Sequence, residues 1–127
     1  MEYPMETPFA GSIVGSWHFV RSSHPGYDGK TIYHFTGDGL SYWEFNDGRG
    51  RMMEVAPYKF ENGQMFFGRQ GGWSQGRPVV QEGDGTSRLA SASGNHFWWM
   101  VRLQSPEPYS QAFVNDEGEF RRLDILA

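Results

Sequence analysis

Along the chain, apolar and polar residues alternate in short runs, and no ten-residue stretch carries the three-to-four spacing of an amphipathic helix. Runs rich in aromatic and β-branched residues occupy positions 13–21, 31–36, 40–46, 51–60, 64–69, 77–82, 86–92 and 95–103, and each reads as a strand. Between them stand Gly37-Asp38-Gly39, Asn46-Asp47-Gly48, Glu61-Asn62-Gly63, Glu82-Gly83-Asp84-Gly85 and Ser93-Gly94-Asn95, residue types that tolerate the positive φ of tight hairpin turns. Turn signals about 8–12 residues apart, with no helix between them, predict an all-β antiparallel up-and-down meander of about eight strands, closed into a barrel. Two more strand-like runs, 109–114 and 119–126, flank Asp116-Glu117-Gly118 and predict a terminal hairpin. The expected organisation is one domain over 1–127: an extended arm at 1–10, a barrel at 11–103 and a C-terminal extension at 104–127.

Strand alternation then assigns faces. If the aromatic sets point inward, His18 lies opposite Trp17, and His34 lies opposite Tyr33 and Phe35, so both histidines are expected in solvent. Glu44 between Trp43 and Phe45, and Glu54 between Met53 and Val55, are expected to face water by the same argument, with a buried Glu44 beside Tyr42 or Arg69 as the alternative. His96 shares the face of Trp98 and Met100 and is expected near an open rim. The run Phe97-Trp98-Trp99-Met100-Val101 is apolar on both faces, which demands a cover over its outer side: the 109–126 segment or a second subunit.

Composition sharpens this reading. The 127 residues include 10 Phe, 6 Tyr and 5 Trp, each able to bury roughly 150–250 Å², so the core is aromatic. Cysteine is absent, which excludes a disulfide scaffold. The excess of glycine, 17 residues, is read mainly as hairpin punctuation. A net charge of −4, with Arg49/Arg51 and Arg121/Arg122 as isolated pairs, argues against nucleic acid. The longest apolar run, 97–101, is far short of a membrane helix, so no membrane partner is expected. The opening Met1-Glu2-Tyr3-Pro4-Met5-Glu6 carries neither a basic nor an apolar leader stretch, and the expectation is a cytoplasmic protein.

Candidate chemistry is sparse. His18, His24, His34 and His96 show neither H-x-H nor H-E-x-x-H spacing, so no metal site is expected. No Ser sits in a G-x-S-x-G elbow, and no phosphate-cradling glycine loop is present. No catalytic residue and no cofactor is therefore assigned.

The first strand carries Gly15-Ser16-Trp17, and the last barrel strand ends Trp98-Trp99-Met100-Val101-Arg102-Leu103. Together with the eight-strand meander, and with Thr31-Ile32-Tyr33-His34-Phe35-Thr36-Gly37-Asp38-Gly39, this resembles the small bacterial lipocalin-like domains of the lipocalin and fatty-acid-binding-protein superfamily, over residues 11–103. The resemblance implies that Trp17 plugs the closed end of the barrel, with Gly15 allowing a tight bend and Arg102 packing across the indole. A guanidinium over an indole is physically sensible there, worth about 0.5–2 kcal/mol.

The leading expectation is non-enzymatic binding of a small hydrophobic, aromatic or amphipathic molecule inside the barrel. Phe19, Tyr33, Phe35, Trp43, Phe45, Phe67, Trp98 and Met100 are the candidate walls, with Arg69 and His96 as polar anchors. Trp73, in the glycine-rich stretch 68–78, is a candidate lid. The alternative is a filled barrel acting through its surface as a homodimer or partner-binding module. Catalysis in the cavity is a third reading, and it requires a buried His96 or Glu44 beside a polar partner.

Overall fold

Short aromatic strands cannot bury either face alone, so the chain must hydrogen-bond them edge to edge and close the sheet on itself. The structure is a computed structural model that describes residues 7–123. Its elements in chain order are β1 (Thr7–Pro8), β2 (Gly15–Ser22), β3 (Thr31–Phe35), β4 (Leu40–Asn46), β5 (Arg51–Glu61), β6 (Gln64–Arg69), β7 (Gly72–Trp73), β8 (Arg77–Gln81), β9 (Ser87–Ala90), β10 (Phe97–Arg102), β11 (Ala112–Val114) and β12 (Phe120–Arg122). Eight of them, β2 to β6 and β8 to β10, form the closed antiparallel up-and-down barrel, with β10 pairing β2 and β6 pairing β8. Among the described residues no helix is long and apolar enough to cross a membrane.

The turns follow from their residues. Asn62 (φ 54°) and Gly63 (φ 75°) join β5 to β6 with Glu61 paired to Gln64, a two-residue loop with both central φ positive, as the primed hairpin geometry requires. The β6–β8 seam is short: Gln64 and Met65 pair with Pro78 and Arg77, and β1 continues along β8 where β6 leaves off. The arm expected at 1–10 is therefore tied down from Thr7 onward, and Phe9 packs edge-on to Trp17 and Phe60 at 5.6 and 5.9 Å. Residues 1–6 of that arm, and 124–126 of the terminal run, lie outside the described residues.

One end of the barrel is filled. Ile13, Trp17, Phe35, Tyr58, Met65, Val79, Leu89 and Met100 are buried in one contiguous cluster with Phe19 and Phe67. Trp17 donates from Nε1 to the Ile13 carbonyl (2.9 Å). The Arg102 guanidinium carbon stands 4.4 Å from its ring centroid, and the two terminal nitrogens, Nη1 and Nη2, donate to the Val14 and Ser12 carbonyls at 2.5 and 2.6 Å. Gly15 holds φ at 135°, and a Cβ there would lie 2.6 Å from an Arg102 terminal nitrogen, so strain and crowding both select glycine.

The outer face of β10 is not covered by the 109–126 segment, one of the two covers expected for it. The C-terminal hairpin of β11 and β12 packs on β2 and β3. The outer face of β10 is covered by long side chains of neighbouring strands: Arg21 lies 4.6 Å over Trp99, Arg88 lies 4.7 Å over Phe97, and Glu82 accepts from Trp99 Nε1 at 3.2 Å. Arg21 reaches that face because the register steps between Trp99 and Met100, pairing them with Arg21 and Phe19 and leaving Val20 as an extra residue. Without that bulge, alternation would turn Arg21 inward behind Phe19.

Replacing Arg102 with Met removes two charge-assisted hydrogen bonds to carbonyls and the cation over Trp17. The expected loss is about 2–3 kcal/mol of unfolding free energy, read as a lowered urea midpoint at unchanged m-value; a shift below about 0.5 kcal/mol would show that the plug is held by packing alone.

Candidate functional site

The open end of the barrel is where the aromatic fill stops. A cavity of about 540 Å³ remains there, walled by Phe19, Tyr33, Trp43, Phe45, Leu89 and Trp98, with Thr31, Asn46, Arg77 and the 24–28 loop supplying its polar rim. Three rings form a parallel tier: Tyr33 and Trp43 stack at 6.1 Å and 7°, and Trp43 and Phe45 at 4.2 Å and 27°. Cross-strand pairing builds that tier, since Tyr33 is registered directly opposite Trp43. Tyr27 anchors the loop: its hydroxyl donates to the Phe19 carbonyl and accepts from the Thr31 amide at 3.0 Å.

Five of the expected wall residues line this space: Phe19, Tyr33, Trp43, Phe45 and Trp98. Phe35, Phe67 and Met100 lie below it in the packed cluster. Arg69 is exposed, because β6 runs past its pairing with β8 and ends in the hairpin with β7. It borders a separate outer concavity of about 470 Å³ with Val55, Pro57 and Trp73. Trp73 is 47% exposed, has Lys59 Nζ 4.9 Å from its ring, and does not stand over the cavity. His96 sits beside the rim against His24, ring centroids 5.0 Å apart, rather than on the wall. Arg77, at the start of the strand expected at 77–82 and not among the expected anchors, is the cation that lines the cavity.

The largest correction concerns His34 and Glu44. Alternation does turn both away from the aromatic interior, yet both are 0% exposed, because the C-terminal segment lies over them. His34 Nε2 is 2.5 Å from Glu44 Oε2, and His34 Nδ1 is 2.7 Å from Ser16 Oγ. Ser110 Oγ and the Gln111 amide donate to the same carboxylate at 2.5 and 2.6 Å, and the Val114 amide donates to Ser16 Oγ at 2.9 Å. His18 is likewise half-buried, with Nε2 2.6 Å from the Gly29 carbonyl oxygen and 2.7 Å from the Tyr109 hydroxyl. Glu54 is exposed.

A histidine between a serine and a carboxylate has the connectivity of a hydrolytic triad, but here it is a structural clasp. Ser16 Oγ is spent on Val114 and His34, the residue is 1% exposed, and the cavity wall contains none of the three. The third reading needed Glu44 or His96 in the cavity, and neither lines it. Among the described residues no group of three or more His, Asp or Glu side chains is placed to hold a metal ion. No protein-family model matches the chain, and neither a curated protein nor a solved structure matches it.

Burial alone would raise the Glu44 carboxyl, but the hydrogen bonds from His34, Ser110 and the Gln111 amide outweigh it and hold the pKa below the ordinary glutamate value. A carboxylate whose folded pKa is lowered contributes fully above its unfolded value of about 4.3 and loses that contribution as the pH falls through the lower folded value. Glu44→Gln presents an amide NH2 toward donors that need an acceptor, an expected cost of about 3 kcal/mol. Hydrogen exchange checks both: the amides of Gln111 and Val114 are expected to lose protection in the variant at neutral pH and in the wild type below about pH 4, ahead of the β2–β3 amides. Unchanged protection in both experiments would remove the clasp.

Proposed function

We propose that this protein binds a small, largely apolar aromatic or amphipathic molecule in the open half of a lipocalin-like barrel, without performing chemistry on it. The single observation that carries the reading is the half-filled interior: a packed, Trp17-plugged end below and an aromatic-walled space of about 540 Å³ above. That volume falls within the roughly 300–1,000 Å³ of small-molecule sites, and its mix of apolar wall and few polar groups is their usual chemistry. Membership of the lipocalin-like group is part of this proposal, supported by the joint placement of Gly15, Trp17 and Arg102 at the closed end. So is a cytoplasmic location. The alternative of a surface-acting homodimer draws on the filled half of the barrel, but it assigns no purpose to the open half.

The test uses N-phenyl-1-naphthylamine, a neutral hydrophobic fluorophore, with energy transfer from tryptophan as the readout. Saturable 1:1 binding is expected. Trp43→Ala, which removes the centre of the stacked tier, is expected to weaken it about tenfold, a loss of about 1.4 kcal/mol. Trp73→Ala, in the outer concavity, is expected to leave it unchanged. Absence of saturable binding, or equal loss in the two variants, would count against the cavity.

A further inference from the structure

The polar groups of the cavity are unequally employed. Asp28, the acid of the rim, already accepts from Asn46 Nδ2 and from the Lys30 amide, each at 2.9 Å. The Arg77 guanidinium has an aromatic ring beside it but no anion among the described residues. It enters from the first residue of β8, opposite Met65, with its guanidinium carbon 4.9 Å from the Phe67 ring centroid. Among the described residues it forms no salt bridge and no side-chain hydrogen bond, and its Nε is sealed from solvent with no acceptor. Arg51 is the other guanidinium with sealed, unpartnered nitrogens, but it reaches Asn46 Oδ1 at 3.4 Å and lies over Tyr109, off the cavity wall.

Tyr33 lies against the same Phe67 ring as Arg77, with the Tyr33 and Phe67 ring centroids 5.6 Å apart, and lines the same cavity. Burial pushes its phenol up to about 12, against the pull of the Arg77 charge, so it is a neutral donor at physiological pH. Its hydroxyl has no hydrogen-bond partner among the described residues. One wall thus presents a cation and a phenol O–H donor with no acceptor for either among the described residues, and the sealed Arg77 Nε is the kind of buried donor that folded proteins rarely leave without an acceptor. The stacked rings of Tyr33, Trp43 and Phe45 complete the same wall.

Resting on the binding reading above, we propose that the ligand is an aromatic carboxylate, its carboxylate held by the Arg77 guanidinium and the Tyr33 hydroxyl and its rings laid against the Trp43–Phe45 tier. A planar guanidinium matches a planar carboxylate through two parallel N–H donors. One guanidinium neutralises one negative charge, and with Asp28 at the rim a phosphate carrying close to two charges is under-compensated.

Three probes of equal ring size test this by quenching of tryptophan emission: 2-naphthoate, its neutral amide 2-naphthamide, and 2-naphthyl phosphate. The wild type is expected to prefer naphthoate over naphthamide by about 10- to 100-fold, the range for hydrogen bonds to a charged group, and over the phosphate as well. Arg77→Met is expected to abolish the preference while naphthamide affinity stays within about twofold, and Arg77→Lys to retain part of it. The wild-type comparison stands whether or not either variant folds. Equal binding of acid and amide to the wild type overturns the carboxylate assignment while leaving the cavity reading intact. Tighter binding of the phosphate overturns it too, and failure of all three probes to bind overturns both.

Discussion

Period-two alternation on the first three barrel strands is the constraint from which the rest of the architecture follows. Placing Trp17, Tyr33 and Trp43 in the interior commits Ser16, His34 and Glu44 to the exterior, because adjacent side chains on a strand point to opposite faces. In an open meander that exterior would be wet. Here it carries a histidine and a carboxylate that are fully buried, and burial of such groups is tolerable only if every hydrogen bond is made. The C-terminal segment makes them: Ser110 and Gln111 on Glu44, Val114 on Ser16, with Phe120 stacked on Tyr42 at 3.8 Å. The hairpin of β11 and β12 is thus held through polar partners in fixed positions, and that specificity is what greasy packing alone would not give it.

Proton placement in this network is nearly determined by counting donors. Gln111 N–H and Ser110 O–H both face the carboxylate, so Glu44 serves as acceptor throughout. The third group on it, His34 Nε2, must then donate. With Val114 N–H donating to Ser16 Oγ, the serine hydroxyl is free to donate to His34 Nδ1. The Ser110 hydroxyl proton is shared between Glu44 and the Ala112 carbonyl, 2.7 Å away, and an Nε2–H on His34 satisfies the rest of the network. A serine so engaged is not a nucleophile in waiting. It is the link through which β2 recognises β11.

Much of the fold was legible because local chemistry dictates it. Glycine and Asx clusters set the hairpins, and aromatic alternation set the faces, so the eight barrel strands fall within a few residues of where the pattern puts them, and Phe19, Tyr33, Trp43 and Phe45 share one wall. What escaped the pattern depends on parts of the chain far away in sequence. Glu44 reads as a solvent-facing acid because nothing near it announces that residues 110–114 return to cover it. A local signal did exist: the Gly37-Asp38-Gly39 turn pairs Ile32 with Glu44 and His34 with Tyr42, which sets His34 diagonally beside Glu44 on one face. Arg69 was misplaced because alternation says which side of a strand a residue is on, not whether a neighbouring strand is still there; β8 has already ended its pairing with β6 at Met65. Arg77 became the interior cation for the complementary reason, standing at the seam itself.

The aromatic excess therefore does two jobs, and Phe35, edge-on to Tyr58 and stacked on Tyr33 at 5.4 Å and 4°, takes part in both. Near the plug, rings meet edge to face, as Phe9 does with Trp17 at 76° and Phe35 with Tyr58 at 64°, a geometry that interlocks and fills volume. Toward the open end the rings lie parallel, as in the Tyr33, Trp43 and Phe45 tier, and parallel rings along one wall leave a flat surface instead of interdigitating with the wall opposite. The space above the core opens beside those rings, which stack on one another along β3 and β4. Small interior residues are not what creates it, since Trp98 and Leu89 also border it. A barrel of eight strands is only just wide enough to be filled by its own side chains, and here the fill stops at the level of the Tyr33, Trp43 and Phe45 rings.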